Sequence, residues 1–204
     1  MKKIFIFVLG LMVSLWANAF SINDGILYYD VTSGGQAWVT GPVSSWFDGN
    51  VTIRSTVKDK SSGESYPIIG IDKEAFKGWS VTNVTIESND YFAILGGAFK
   101  DCATLTFFRC DDAILDIDAD AFNGTGLTTL SLPHSARIGP RAFANCSNLT
   151  VVELRDMDEY DATMFDNSPI ELLGWNNGLT SEVLNAVSGQ SPLYGIRNTL
   201  KTVL

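Results

Sequence analysis

Apolar and polar positions fall into one pattern, apolar-x-x-apolar-x-apolar, that returns five times along the chain. It reads Val81-Thr82-Asn83-Val84-Thr85-Ile86, Leu105-Thr106-Phe107-Phe108-Arg109-Cys110 and Leu127-Thr128-Thr129-Leu130-Ser131-Leu132, then Leu149-Thr150-Val151-Val152-Glu153-Leu154 and Ile170-Glu171-Leu172-Leu173-Gly174-Trp175. The second half of each copy alternates with period two, which predicts a short strand with apolar residues inward and x residues outward. One copy offers a single apolar layer and cannot bury it alone. Stacked copies cover one another at about 4.8 Å per strand and form a continuous core.

A second marker keeps step with the first. Ala75-Phe76, Ala98-Phe99, Ala121-Phe122 and Ala142-Phe143 recur, with a degenerate copy at Met164-Phe165, and the Phe spacings are 23, 23, 21 and 22 residues. Five positions before each Phe stand Ile71, Ile94, Ile117, Ile138 and Tyr160; two after it stand Gly78, Asp101, Gly124, Asn145 and Asn167. Those turn formers tolerate left-handed backbone, so the column asks for the same tight corner in every copy. Three after the Phe come Trp79, Cys102, Thr125, Cys146 and Ser168. The Phe column predicts a buried ladder.

Residues 142–154, Ala-Phe-Ala-Asn-Cys-Ser-Asn-Leu-Thr-Val-Val-Glu-Leu, closely resemble the BspA-type leucine-rich repeat, and the likeness extends over about residues 66–175. The resemblance implies a β-rich repeat solenoid of short strands and turns with few helices. It also implies a secreted or surface protein of Bacteroidetes-like bacteria or parasitic protozoa, associated with adhesion to host matrix proteins or other cells.

The ends of the chain depart from the repeat. Residues 1–19 join Met-Lys-Lys to an apolar run from Ile4 to Trp16 and then Ala17-Asn18-Ala19. That is the three-part form of an export signal cleaved after Ala19, and its run is short of the roughly 20 residues that span a bilayer. No cysteine precedes Cys102, so no acylation site follows the signal, and no transmembrane anchor is expected after cleavage. Residues 20–67 are expected to form an N-terminal cap, with a hairpin across Gly34-Gly35, a strand at Asn50-Val51-Thr52-Ile53 and a turn at residues 61–64. Residues 68–176 hold the five repeats. Residues 177–204 are expected to form a C-terminal cap or truncated repeat, with a short helix from Ser181 to Val187.

Composition narrows the chemistry. The chain carries 14 Lys+Arg, 23 Asp+Glu, three Cys and one His; without Lys2 and Lys3, 12 basic residues face the same 23 acidic ones, a net charge of −11. That balance excludes a nucleic-acid binder, which needs clustered cations to neutralise phosphates. Cys110 takes an inward strand position and reads as core. Cys102 and Cys146 share a column but sit two rungs, roughly 10 Å, apart, beyond the reach of a disulfide. One His and an odd cysteine count do not make a zinc site. Asp116, Asp118 and Asp120 begin like a calcium loop, but Ala121 and Leu127 stand where Gly and Glu are required. Asn50, Asn83, Asn123, Asn145 and Asn148 open Asn-x-Ser/Thr sequences; three lie in repeated turns, where Asn has structural reasons to be. Around His134 no nucleophile–base arrangement emerges, so neither a catalytic set nor a cofactor is expected.

The outward strand positions form two columns: Asn83, Phe107, Thr129, Val151 and Leu172, and Thr85, Arg109, Ser131, Glu153 and Gly174. Apolar Phe107, Val151 and Leu172 among polar neighbours form an interaction surface. The candidate contacts are Phe107, Arg109, Thr129, Ser131, Val151, Glu153 and Leu172, with a protein or glycan partner. A stacking module that joins another chain through its C-terminal edge is the alternative, and a glycan-active protein a third.

Overall fold

The computed structural model describes residues 20–175, apart from 45, 46, 48, 89, 111, 112, 135, 156 and 158, together with residues 202 and 203. The export signal at 1–19 and the helix expected at 181–187 lie outside the described residues. Among the described residues there is no helix.

The chain winds as a solenoid whose rungs run from a back strand through an Ala-Phe corner to a front strand. At the N-terminus come β1 (Phe20–Asn23), β2 (Leu27–Val31), β3 (Ala37–Pro42), β4 (Asn50–Ile53), β5 (Thr56–Lys58) and β6 (Ser65–Ile71). From there front and back strands alternate: β7 (Asn83–Ile86), β8 (Tyr91–Ile94), β9 (Phe107–Cys110), β10 (Ile114–Ile117), β11 (Thr129–Ser131), β12 (Arg137–Ile138), β13 (Val151–Leu154), β14 (Glu159–Tyr160) and β15 (Leu172–Trp175), with β16 (Thr202–Val203) last.

The expected repeat strands are the front strands, and their inward residues are buried, from Val84 and Ile86 to Val152 and Leu154. The column of Ile71, Ile94, Ile117 and Ile138 belongs to a second ladder that the inward-residue reading did not resolve into strands. There β3, β6, β8, β10, β12 and β14 pair in parallel, Ile71 beside Ile94, Ile94 beside Ile117 and Ile117 beside Ile138. β2 joins the edge of β3 as an antiparallel hairpin across Gly34–Gly35, and β1 adds outside it.

Between the ladders runs the Phe column. Phe76, Phe99, Phe122 and Phe143 stack with successive ring centroids 5.1 Å apart and planes within 21°. Phe165 continues the stack at 5.9 Å. At the other end Phe47 lies 6.4 Å from Phe76, so the stack begins one rung before the first Ala-Phe pair. β4 completes that rung by pairing in parallel with β7, Val51 beside Val84 and Ile53 beside Ile86.

The corners add a third set of rung-to-rung bonds. Phe76 N–H donates to the Ala98 carbonyl at 2.8 Å, Phe99 to Ala121 at 2.7 Å, and Phe122 to Ala142 at 2.8 Å. A small Ala before the Phe lets successive corners approach this closely. All five residues two after the Phe have positive φ, from 57° at Asn145 to 74° at Gly124. Two before the Phe a second left-handed column appears, Glu74, Gly97, Asp120 and Arg141, with φ between 57° and 66°.

The polar column three after the Phe is buried from Cys102 onward, and it is bonded. Cys102 Sγ donates to the Phe76 carbonyl at 2.9 Å, Cys146 Sγ to that of Phe122 at 3.3 Å, and Ser168 Oγ to that of Phe143 at 2.7 Å. Each therefore satisfies a corner carbonyl of the rung before it, as a buried acceptor requires. All three cysteines are buried, and none is in a disulfide. Burial pushes the Cys102 thiol up to about 12 and that of Cys146 also upward, which keeps both out of the nucleophilic thiolate form.

Candidate binding face

The outward residues of the front strands form the two expected columns, set by register. Asn83 stands beside Phe107 and Thr85 beside Arg109. Thr129 stands beside Val151 and Ser131 beside Glu153. Val151 stands beside Leu172, and Glu153 beside Gly174. Phe107 is 46% exposed and Val151 37%, whereas Leu172 is half-buried and contributes less surface than its column position suggests. Arg109, Thr129, Ser131 and Glu153 are exposed.

The columns do not run through without interruption. β4, β7 and β9 form one sheet, and β11, β13, β15 and β16 another. Among the described residues no ladder pairing forms between β9 and β11. Two residues stand out at the parting. Where β4 pairs with β7, two steps earlier, Glu87, the residue after β7, donates its N–H to the Ile53 carbonyl at 2.8 Å. The equivalent residue after the third repeat motif is Pro133, which has no N–H to give. Phe108 is also the largest residue in its inward column, and its ring packs edge-on against Phe122 of the following rung at 4.9 Å.

The parting leaves a shallow cleft of about 280 Å³ on the outward face. Phe107 and Arg109 line one side, Thr129, Ser131 and Pro133 the other, with Arg155 at its margin. Four of the seven candidate contacts thus meet at one place. Glu153 borders it: its carboxylate accepts from Ser131 Oγ at 3.2 Å and pairs with Arg155 at 3.2 Å. The Arg155 Nε is buried and has no hydrogen-bond partner. Val151 and Leu172 lie one and two rungs further on. The parting and Arg155 were not visible in the repeat alignment, although Pro133 was a signal that could have found them.

The remaining motifs have internal partners. Asp116 accepts from Tyr91 Oη at 3.0 Å and pairs with Arg137 at 3.4 Å; Asp120 pairs with Arg141 at 3.3 Å and Lys100 at 3.6 Å. Asn145 Nδ2 donates to Asn123 Oδ1 at 2.9 Å, and Asn167 Nδ2 to Asn145 Oδ1 at 3.1 Å. These side chains form a rung-to-rung ladder at the corner, with Asn123 itself buried.

Parallel rungs of one back and one front strand, a stacked Phe spine and left-handed corners define a leucine-rich repeat solenoid. Residues 69–188 match the BspA type leucine rich repeat region in six copies, and the chain belongs to that family. The T. pallidum leucine rich repeat protein is similar in fold, with a TM-score of 0.63 over 90% of this chain and 83% of its own at 16% identity. A leucine-rich repeat protein from Bacteroides capillosus matches at 0.50 over 66% of this chain and 97% of its own, at 21% identity. The pneumococcal vaccine antigen PcpA matches at 0.50 and 16% identity over 76% of this chain, which spans 40% of that protein. No curated protein matches the chain in sequence.

Proposed function

We propose that this chain is an exported protein that binds another macromolecule through its front strand face, centred on the cleft between β9 and β11, in an adhesive role. The observation that carries the reading is the meeting of an exposed aromatic, Phe107, with Arg109 at a break in the ladder. Aromatic and Arg side chains are the types enriched at protein interfaces, and a concave site desolvates them better than a flat sheet. The partner is a protein or glycan of a host or neighbouring cell. Export rests on the three-part segment at residues 1–19, and resemblance to a vaccine antigen accords with a location outside the cell. The same reading takes residues 20–67 and 177–204 as caps around the array.

The test is a binding screen of residues 20–204 against matrix proteins and glycans, repeated with the double substitution Phe107→Ala and Arg109→Ala. Affinity should fall while the melting temperature stays within about 2 °C, since exposed positions cost little in stability. Parallel losses of affinity and stability would make the face structural.

A further inference from the structure

A larger cavity than the cleft at Phe107 lies away from this face, at the N-terminal end of the front ladder. It is a groove of about 810 Å³, within the usual range of ligand sites. One wall is the outer edge of β4, the first strand of its sheet, which pairs only with β7 among the described residues. The Gly49 carbonyl accepts from Thr82 N–H at 2.7 Å and the Ile53 carbonyl from Glu87 N–H at 2.8 Å. Bonding toward β7 therefore falls on odd-numbered residues. Alternate residues of a strand turn their amides to opposite edges, so Thr52, at the centre of β4, directs its N–H and C=O into the groove.

The opposite wall comes from β2 and β5. Among the described residues β1 and β2 extend the back ladder beyond β3 and no strand extends the front ladder beyond β4, so the groove is a step at that end of the stack. Its charge is opposite to that of the chain as a whole. Arg54, Lys58 and Lys60 line it, against one acidic residue, Asp24. That carboxylate is already used: it accepts from the N–H groups of Ile26 and Leu27 and from Tyr29 Oη, each at 2.8 Å. Arg54 and Lys58 form no ion pair among the described residues. In a chain of net charge −9, this is a positively charged slot beside an open strand edge.

We propose that the groove takes an acidic peptide segment in extended conformation, added to β4 as a further strand. Main-chain bonds to the β4 edge supply affinity in such complexes, and side-chain contacts supply choice of sequence. Here carboxylates on the incoming strand face Arg54 and Lys58. The site is separate from the cleft at Phe107 and does not depend on the reading given to that face.

The probe is a fluorescent octapeptide of alternating Val and Glu, titrated into residues 20–204 at low and high salt, with hydrogen exchange followed at β4. Saturable binding that weakens with salt and protects the Thr52 amide is expected. Arg54→Glu with Lys58→Glu should weaken it about tenfold, as should methylation of alternate peptide nitrogens, which removes strand donors but keeps the charge. Both substituted residues are exposed, so the melt of the variant reports whether the fold survives. Phe107→Ala with Arg109→Ala should leave this binding unchanged, which separates the two sites. Absence of binding, or binding indifferent to N-methylation or charge reversal, overturns the proposal. Concentration-dependent self-association that protects the Thr52 amide and excludes the peptide overturns it in favour of a second copy of this chain.

Discussion

The back ladder and the front ladder come from the same repeat, yet they dispose of their outward side chains in opposite ways. On the back, cross-rung neighbours are complementary. Tyr91 donates to Asp116, Asp116 pairs with Arg137, and Arg137 pairs with Glu159 at 2.9 Å, so a chain of partners follows the unbroken strand order. On the front the matching is local: Asn83 bonds Asn50 and Ser131 bonds Glu153, but Phe107, Thr129 and Val151 follow one another without complementarity, and the sheet parts where the aromatic stands. A repeat whose surface is matched to itself stabilises the stack and leaves little for a partner. One whose surface is unmatched gives up pairing and presents side chains such as Phe107 and Arg109 to solvent.

The Phe spine underlies both ladders, and breaking it gives the largest effect. Phe122 is fully buried, stacks on Phe99 and Phe143, and also carries Phe108 of β9. Phe122→Ala should cost about 3–5 kcal/mol through lost burial and a residual cavity. Phe165→Ala, with a single tilted ring neighbour, should cost less. Circular dichroism melts of the two variants measure the difference. In Phe122→Ala, faster exchange should concentrate in β9 and β11, because the back strands keep their continuous pairing.

The back ladder's own chemistry is tested with alkali. Burial, and then the charge and hydrogen bond of Asp116, raise the Tyr91 phenol to about 12, whereas the unfolded side chain titrates near 10. A folded pKa above the unfolded one means stability that is complete below pH 10 and is lost as pH rises toward 12. For a half-exposed ring the loss is of order 1 kcal/mol after solvent screening. Tyr91→Phe should remove that part of the alkaline slope in denaturation measured from pH 8 to 12. Arg137 opposes the shift, so Arg137→Ala should deepen the loss, which still begins near pH 10 but continues to higher pH.

The front ladder was legible in the sequence because its period-two alternation, its Phe spacing and its turn column are all written in residue types that few other structures need. The outward columns followed from that register alone. The back ladder was half-legible: Ile71, Ile94, Ile117 and Ile138 showed the inward side, but no apolar pattern repeats around them as it does around the front strands. The second left-handed column was hidden because Glu74 and Arg141 are not residues that left-handed backbone selects, so Gly97 and Asp120 between them made no column; rung-to-rung bonds hold them there. Phe47 was hidden for the converse reason. It fills a corner in the stack without the preceding Ala that marks the others. The parting of the front sheet coincides with Pro133, a position without a donor, and an absent hydrogen bond leaves no periodic trace.

That missing donor allows the finest test of the contrast between the ladders. If Pro133 opens the front sheet, Pro133→Ala should let the residue's N–H bond the Cys110 carbonyl, as Glu87 bonds Ile53 two steps earlier. The gain of a hydrogen bond, about 0.5–1.5 kcal/mol, is set against the proline's restriction of the unfolded chain, about 0.4–1 kcal/mol. Net stability should therefore change by less than about 1 kcal/mol. What should change is the surface: the amide at position 133 becomes protected from exchange, the cleft beside Phe107 narrows, and affinity for a partner found in the screen falls. An unprotected amide with unchanged binding would transfer the cause to Phe108. Its edge-on ring would then be the wedge, and Phe108→Leu would be the substitution that closes the sheet.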